Sequence, residues 1–164
     1  MSIVLTRIDN RLIHGQVLEA WVPYIQADCI VVANDEVAAT PLKRMMMEAS
    51  VPSRMRIEIG SIEEIVALFS TKKLDKNKSL LLFHSTGDAL RAYRQGLAYP
   101  RLNLGNLHAG AGKSRLSCTI FLDQEGVDDL AQLECAGVDI TARCIPADGE
   151  RSWRKLVPKR ETKA

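Results

Sequence analysis

One stretch of the chain combines residues suited to phosphoryl chemistry: Arg7-Ile8-Asp9-Asn10-Arg11-Leu12-Ile13-His14-Gly15-Gln16. It is the densest polar cluster at any predicted strand end, and a helix follows it immediately. A histidine with an ordinary pKa of about 6.5 offers a neutral, nucleophilic ring nitrogen near neutral pH. Arg11 and, more weakly, Arg7 offer fixed donors for phosphate oxygens. A helix N-terminus at Gly15 and Gln16 adds unpaired N–H groups and positive partial charge. Gly15 also permits close approach by a second macromolecule. Asp9 is expected to orient Arg11 or the backbone, because a carboxylate against phosphoryl oxygens would be repelled. By residue type alone, a cap or surface histidine with solvated arginines is a commoner outcome than a nucleophile.

The elements around it define a fold class. Ile3-Val4-Leu5 predicts a short first strand, and Val17, Ala20, Trp21, Tyr24 and Ile25 recur at helical spacing. Residues 29–33 read as a buried strand that ends at Asn34-Asp35. Thr40-Pro41 opens a helix with Leu42, Met45, Met46 and Ala49 on its inner stripe, stopped near Pro52. In the run Met45-Met46-Met47 one methionine faces outward. Met55, Ile57 and Ile59 alternate as a third strand, and Ser61-Ile62-Glu63-Glu64 matches a capping box. Residues 80–83, 101–104, 116–121 and 138–144 complete the strands. Helices lie near residues 88–95 and from Val127 to an αL cap at Gly137.

Strands alternating with helices imply βαβ units. The expected fold is a single-domain α/β protein. Its open, mainly parallel sheet has about seven strands, with helices on both faces. The helix-free link between the fifth and sixth strands predicts one antiparallel member. Residues 1–157 form the domain, and 158–164 a polar, frayed tail.

Composition narrows the class of function. The 164 residues carry a net charge of only +2, which argues against a nucleic-acid binder. No apolar run approaches the ~20 residues of a membrane span, and the N-terminus lacks a signal-peptide pattern, which points to the cytoplasm. Cys29, Cys118, Cys135 and Cys144 are far apart and read as buried free thiols. His14, His84 and His108 are too scattered for a metal site, and His84, at the end of an apolar strand, reads as a satisfied structural residue. Gly110-Ala111-Gly112-Lys113-Ser114 mimics a P-loop, but Leu107 stands where the first glycine belongs, and a strand is expected to follow. His108 and Lys113 remain available to frame a phosphate or a partner. Asn34 and Asp35, at a strand's carboxyl end, fit a wall of the same crevice or a helix cap equally well.

The first stretch, followed by Val17 and Trp21, resembles the active-site motif of the IIB components of the mannose/fructose/sorbose phosphotransferase system (PTS). The likeness continues through Val32-Ala33-Asn34-Asp35-Glu36-Val37-Ala38 and Leu102-Asn103-Leu104-Gly105-Asn106-Leu107-His108, and ends near Ile145-Pro146. The resemblance implies that His14 accepts phosphate from a phosphohistidine on a IIA partner. His14 would pass it to a sugar delivered by membrane IIC and IID subunits, with the chain held at the inner face of the membrane. Arg11 matches the family's phosphate-contacting arginine, and Asp9 its acidic position. A homodimer is implied; no metal or cofactor is. Two other readings stand beside this relay: a regulatory phospho-acceptor, and a non-catalytic module that binds a small anion.

Overall fold

A computed structural model describes residues 3–159. Seven strands form one sheet in the order β3-β2-β4-β1-β5-β8-β9. They are β1 (Ile3–Asp9), β2 (Cys29–Ala33), β3 (Arg56–Gly60), β4 (Ser79–Phe83), β5 (Arg101–Asn106), β8 (Asp139–Ala142) and β9 (Arg151–Ser152). All pairings are parallel except β8 with β9. A separate hairpin holds β6 (Ser114–Arg115) and β7 (Phe121–Leu122).

β2 and residues 80–83 of β4 are apolar without interruption because both sheet faces are covered. Successive side chains alternate between two cores. Cys29, Val31, Ala33, Leu81 and Phe83 face the core under α4 (Ile62–Ser70), α5 (Thr86–Arg94), α6 (Gln124–Cys135) and α7 (Trp153–Leu156). Ile30, Val32, Leu80 and Leu82 face the other, under α1 (Val22–Ile25), α2 (Asp35–Ala39) and α3 (Pro41–Ser50). Burying each such aliphatic side chain is worth roughly 1.5–3 kcal/mol. Local signals fix the helix ends. Ser61 and Glu64 form the expected capping box on α4. Gly137 follows α6 at φ +102°, a conformation glycine adopts without a Cβ penalty.

Several expectations are corrected. β1 runs on to Asp9 rather than stopping at Leu5, because Arg7 and Asp9 pair with each other inside the protein. Residues 116–121 are no strand of the main sheet. The Ser117 hydroxyl accepts the amides of Thr119 and Ile120 and closes a turn there, so the antiparallel member is β9 at the sheet edge. The last parallel strand is shorter than residues 138–144. In α3, Leu42, Met45 and Met46 are 64–67% exposed. Val37, Val51 and Met47 already cover the sheet beneath, so the helix rests on a narrow edge. Pro41 does open it, but the Thr40 hydroxyl donates back to the Glu36 carbonyl instead of capping. The helix after His14 contains a π-helical segment, Val17–Trp21. Pro23 just beyond has no N–H to donate, and widening the turn accommodates it. The tail reading falls largely on residues 160–164, outside the described ones.

The cysteines are free, yet only Cys29 is buried; Cys118, in the turn, and Cys135, at the outer end of α6, are exposed. Burial pushes the Cys29 thiol up to about 11. A maleimide should therefore label Cys118 and Cys135 in the native protein and reach Cys29 only after unfolding. Intact mass reads the outcome, and fast native labelling of Cys29 would contradict its place in β2.

Candidate active site

The site lies at the carboxyl ends of β1 and β5, where open α/β sheets gather their ligands. Asp9, the last residue of β1, is its centre. Its Oδ2 accepts from His14 Nε2 at 2.8 Å, Asn106 Nδ2 at 2.9 Å, and Arg7 Nη2 and Nε at 3.1 and 3.3 Å. Its Oδ1 accepts the Arg11 backbone N–H at 3.0 Å. Asp9 thus meets the expected backbone contact and also grips the histidine ring, which the sequence reading had not foreseen.

Arg7 and Asp9 are both 0% exposed, so the charges are affordable only as a bonded pair. Arg7 Nη1 also donates to Asn103 Oδ1 at 2.6 Å and to the Arg143 carbonyl at 3.0 Å, and Nη2 to the Cys144 carbonyl. Its guanidinium carbon stands 4.9 Å from the centre of the Trp21 ring, whose Nε1 donates to the same Cys144 carbonyl. Every Arg7 nitrogen is therefore engaged in the interior. Phosphate contact by Arg7 is ruled out in this arrangement; it holds Asp9 instead.

Burial pushes the Asp9 carboxyl toward the neutral form. Hydrogen bonds from His14 and Asn106, with the Arg7 charge, outweigh that and hold it below the usual carboxylate range. An ionised carboxylate only accepts, so His14 Nε2 carries the proton it shares with Asp9. In the neutral ring Nδ1 then keeps the lone pair, and Nδ1 is buried without a hydrogen-bond partner among the described residues.

The loop that carries the ring is tightly built. The Asp9 carbonyl accepts the Leu12 amide at 2.9 Å, and Leu12 sits at φ +56° with its side chain buried. Such a conformation strains a non-glycine residue and persists only where the surroundings impose it. The Arg11 side chain is exposed and makes no hydrogen bond to any described residue. A Cβ on Gly15 would meet nothing within 4 Å, so the face beside His14 is open. Gln16 Oε1 accepts from Asn106 Nδ2 at 3.4 Å, tying the start of the helix to β5.

The remaining expected site residues are divided. Asn34 caps α2 through the Val37 amide, and Asp35 accepts from the Ile62 amide and from Arg91. Both are structural ties, not a wall of the His14 loop. His108 and Lys113 line a neighbouring cavity with Asn10 and His84. The His84 side chain bonds to no described residue, so it is not the satisfied residue expected; its ring lies 6.2 Å from that of His108 between centroids, tilted by 52°. The Gly110–Ser114 loop leads into β6, not a helix. Among the described residues no three His, Cys, Asp or Glu side chains are grouped to hold a metal ion.

Sequence reasoning missed three residues of β5. Asn103 accepts from Arg7, Gly105 leaves room for the Arg7 guanidinium, and Asn106 holds Asp9. Parallel pairing sets Arg7 beside Asn103 and Asp9 beside Asn106. The signal was present in Asn103-Leu104-Gly105-Asn106, two amides and a glycine alternating with the buried Leu102 and Leu104.

A carboxylate-clamped histidine thus follows the end of β1 in a mainly parallel, single-domain α/β sheet. The family model for the sorbose-subfamily IIB component of the PTS matches residues 3–164, and the chain belongs to that family. It is 32% identical to the N-acetylgalactosamine-specific phosphotransferase enzyme IIB component 2 of Escherichia coli (strain K12), covering 95% of this chain and 99% of that one. It is 31% identical to the sorbose-specific EIIB component of Klebsiella pneumoniae, covering 90% of each. The fold matches the crystal structure of the IIBSor domain of the Klebsiella pneumoniae sorbose permease, with a TM-score of 0.90, 29% identity and 96% of each chain covered.

Proposed function

We propose that this IIB component is a phosphocarrier. His14 takes a phosphoryl group from a phosphohistidine on a IIA partner and gives it to a sugar translocated by IIC and IID membrane subunits. The observation that carries the reading is the hydrogen bond from His14 Nε2 to Asp9, which leaves Nδ1 with its lone pair.

In the first step the Nδ1 lone pair attacks phosphorus. A new N–P bond forms, the N–P bond to the IIA histidine breaks, and that ring leaves with its electron pair. Asp9 stabilises the positive charge that reaches the His14 ring through Nε2–H. Arg11, unengaged at the rim, balances the phosphoryl oxygens. A buried ring nitrogen without a partner costs about 1–3 kcal/mol, which bonding to phosphorus relieves. Because Nδ1 is buried, the loop of residues 10–16 must open for the donor to reach it. In the second step a sugar hydroxyl oxygen attacks the same phosphorus, the bond to His14 breaks, and the hydroxyl proton passes to a base on the membrane subunits. No helix among the described residues is long and apolar enough to cross a membrane, so the chain would work at the inner membrane face through those subunits.

The test is phosphate incorporation from a phosphorylated IIA donor, with wild type and His14→Gln compared by intact mass and acid lability. Wild type should gain one acid-labile phosphate and His14→Gln none. Equal incorporation by both would move the acceptor elsewhere. No incorporation from a donor shown to be active would favour an anion-binding module. Incorporation without sugar phosphate in a complete reconstituted system would favour a regulatory acceptor.

A further inference from the structure

We propose that the cavity beside the His14 loop binds a neutral, hexose-sized sugar, so that this chain supplies part of the acceptor's binding site. This rests on the reading that phospho-His14 gives its phosphate to a sugar. The cavity, about 230 Å³, lies between the carboxyl ends of β4 and β5 and the first turns of α5 and α6. Sites for drug-sized ligands run to ~300–1,000 Å³, so this one suits a single small ring.

Its walls carry hydrogen-bonding groups that the protein itself does not use. The His84 and His108 imidazoles and the side chains of Asn10 and Glu125 bond to no described residue. Among the described residues the Lys113 ammonium reaches only the His108 carbonyl, at 3.5 Å. Asp129 spends one oxygen on the Thr86 hydroxyl at 2.9 Å, and Asp123 spends one on the Gly126 amide. Groups that stay unbonded inside a concave wall favour a ligand that bonds them.

The mixture of signs selects the ligand's charge. A bare anion drawn to Lys113 and the imidazoles would also meet Asp123, Glu125 and Asp129. A bare cation would meet the reverse. A neutral polyol meets neither repulsion: its hydroxyls donate to the carboxylates and accept from Lys113 and the imidazoles. Phe121 adds a flat apolar wall, suited to the C–H face of a sugar ring.

Location supplies the link to the reaction. Asn10 lines the cavity, follows Asp9 directly, and donates its amide to the Asn106 carbonyl at 2.8 Å. A ring bonded to the Asn10 side chain therefore sits against the loop that carries His14.

The test uses the full chain with isotope-labelled histidine, following the His84 and His108 ring resonances by NMR. Titrants are D-glucose, D-mannose, D-galactose and D-fructose, with D-glucose 6-phosphate and inorganic phosphate run separately. At least one neutral hexose should shift both rings with millimolar affinity, and Glu125→Gln should weaken it about tenfold. Phe121→Ala, with its fold checked by the same spectra, should weaken it further. Failure of all four hexoses to shift either ring would overturn the proposal. So would tighter binding of phosphate or the hexose phosphate, which would make this an anion site. Phosphorylation of His14 is measured on the same preparation. A phosphorylated chain that binds no hexose sinks this inference alone, whereas hexose binding without phosphorylation sinks the carrier reading.

Discussion

Asp9→Ala should unfold at a lower urea concentration than wild type, with a loss of about 3–5 kcal/mol, and should accept no phosphate from phospho-IIA. Removing one partner of a buried ion pair strands the other, and Arg7 is completely enclosed. Asp9→Asn separates the two effects. Its amide keeps the shape and can still accept from Arg7, so less stability should be lost. With its oxygen at the Oδ2 position the neutral amide still accepts from Arg7, Asn106 and His14 Nε2 but carries no charge to stabilise the ring cation, so phosphate incorporation should fall. An alanine variant within about 1 kcal/mol of wild type would refute the account of the pair. The acid limb of stability gives an independent check. Burial alone would raise the Asp9 carboxyl, but its bonds and the Arg7 charge hold it lower when folded than when unfolded. Its stabilising contribution is therefore complete above an ordinary carboxylate pKa of about 3.9 and is lost as pH falls through the lower folded value. Asp9→Asn should flatten that limb.

Gly105→Ala should be nearly as damaging, although the residue is neither charged nor at the reacting atoms. A Cβ at this position would overlap the Arg7 guanidinium carbon and two of its nitrogens. The end of an arginine normally swings aside at little cost. Here the Arg7 nitrogens make five hydrogen bonds in a fully buried position, so moving it breaks the pair with Asp9 as well. Overpacking costs about 1–3 kcal/mol, and the broken pair raises the total to roughly 3–5 kcal/mol. Chemical denaturation measures the loss, and phosphate incorporation should fall with it. Full activity in Gly105→Ala would mean that Arg7 has a second stable position. Gly15→Ala is the steric contrast, since nothing stands near its Cβ.

The two substitutions also show where the sequence was readable. The order of strands and helices, and the sheet with two covered faces, could be read because β2 and residues 80–83 of β4 are apolar throughout and α4 carries its own capping box. The reacting loop was legible because its residues are contiguous. β1 was cut short for the same reason that makes it functional: Arg7 and Asp9 look like loop residues until their pairing is known. Residues 116–121 have strand-like apolar content, but side-chain bonds from Ser117 turn the chain away. The stripe assigned to α3 is a real amphipathic pattern with the wrong face turned inward, which only the packing of Met47 reveals. The amides of Asn103 and Asn106 lie more than ninety residues from their partners, and no local pattern assigns a contact at that separation.

The enclosed Arg7 also shapes how this protein can change over generations. Positions 7, 9, 103, 105 and 106 depend on one another through shared contacts, so their substitutions should be far from additive. An alanine at 105 is closed to drift while an arginine stands at 7, and a smaller residue at 7 would leave Asp9 without its cation. A lineage could reach a different arrangement only by crossing a deep fitness valley or by altering several positions together. The exposed rim at Arg11 and Gly15 shares none of these contacts, so selection there acts on phosphoryl transfer alone and not on the stability of the buried pair.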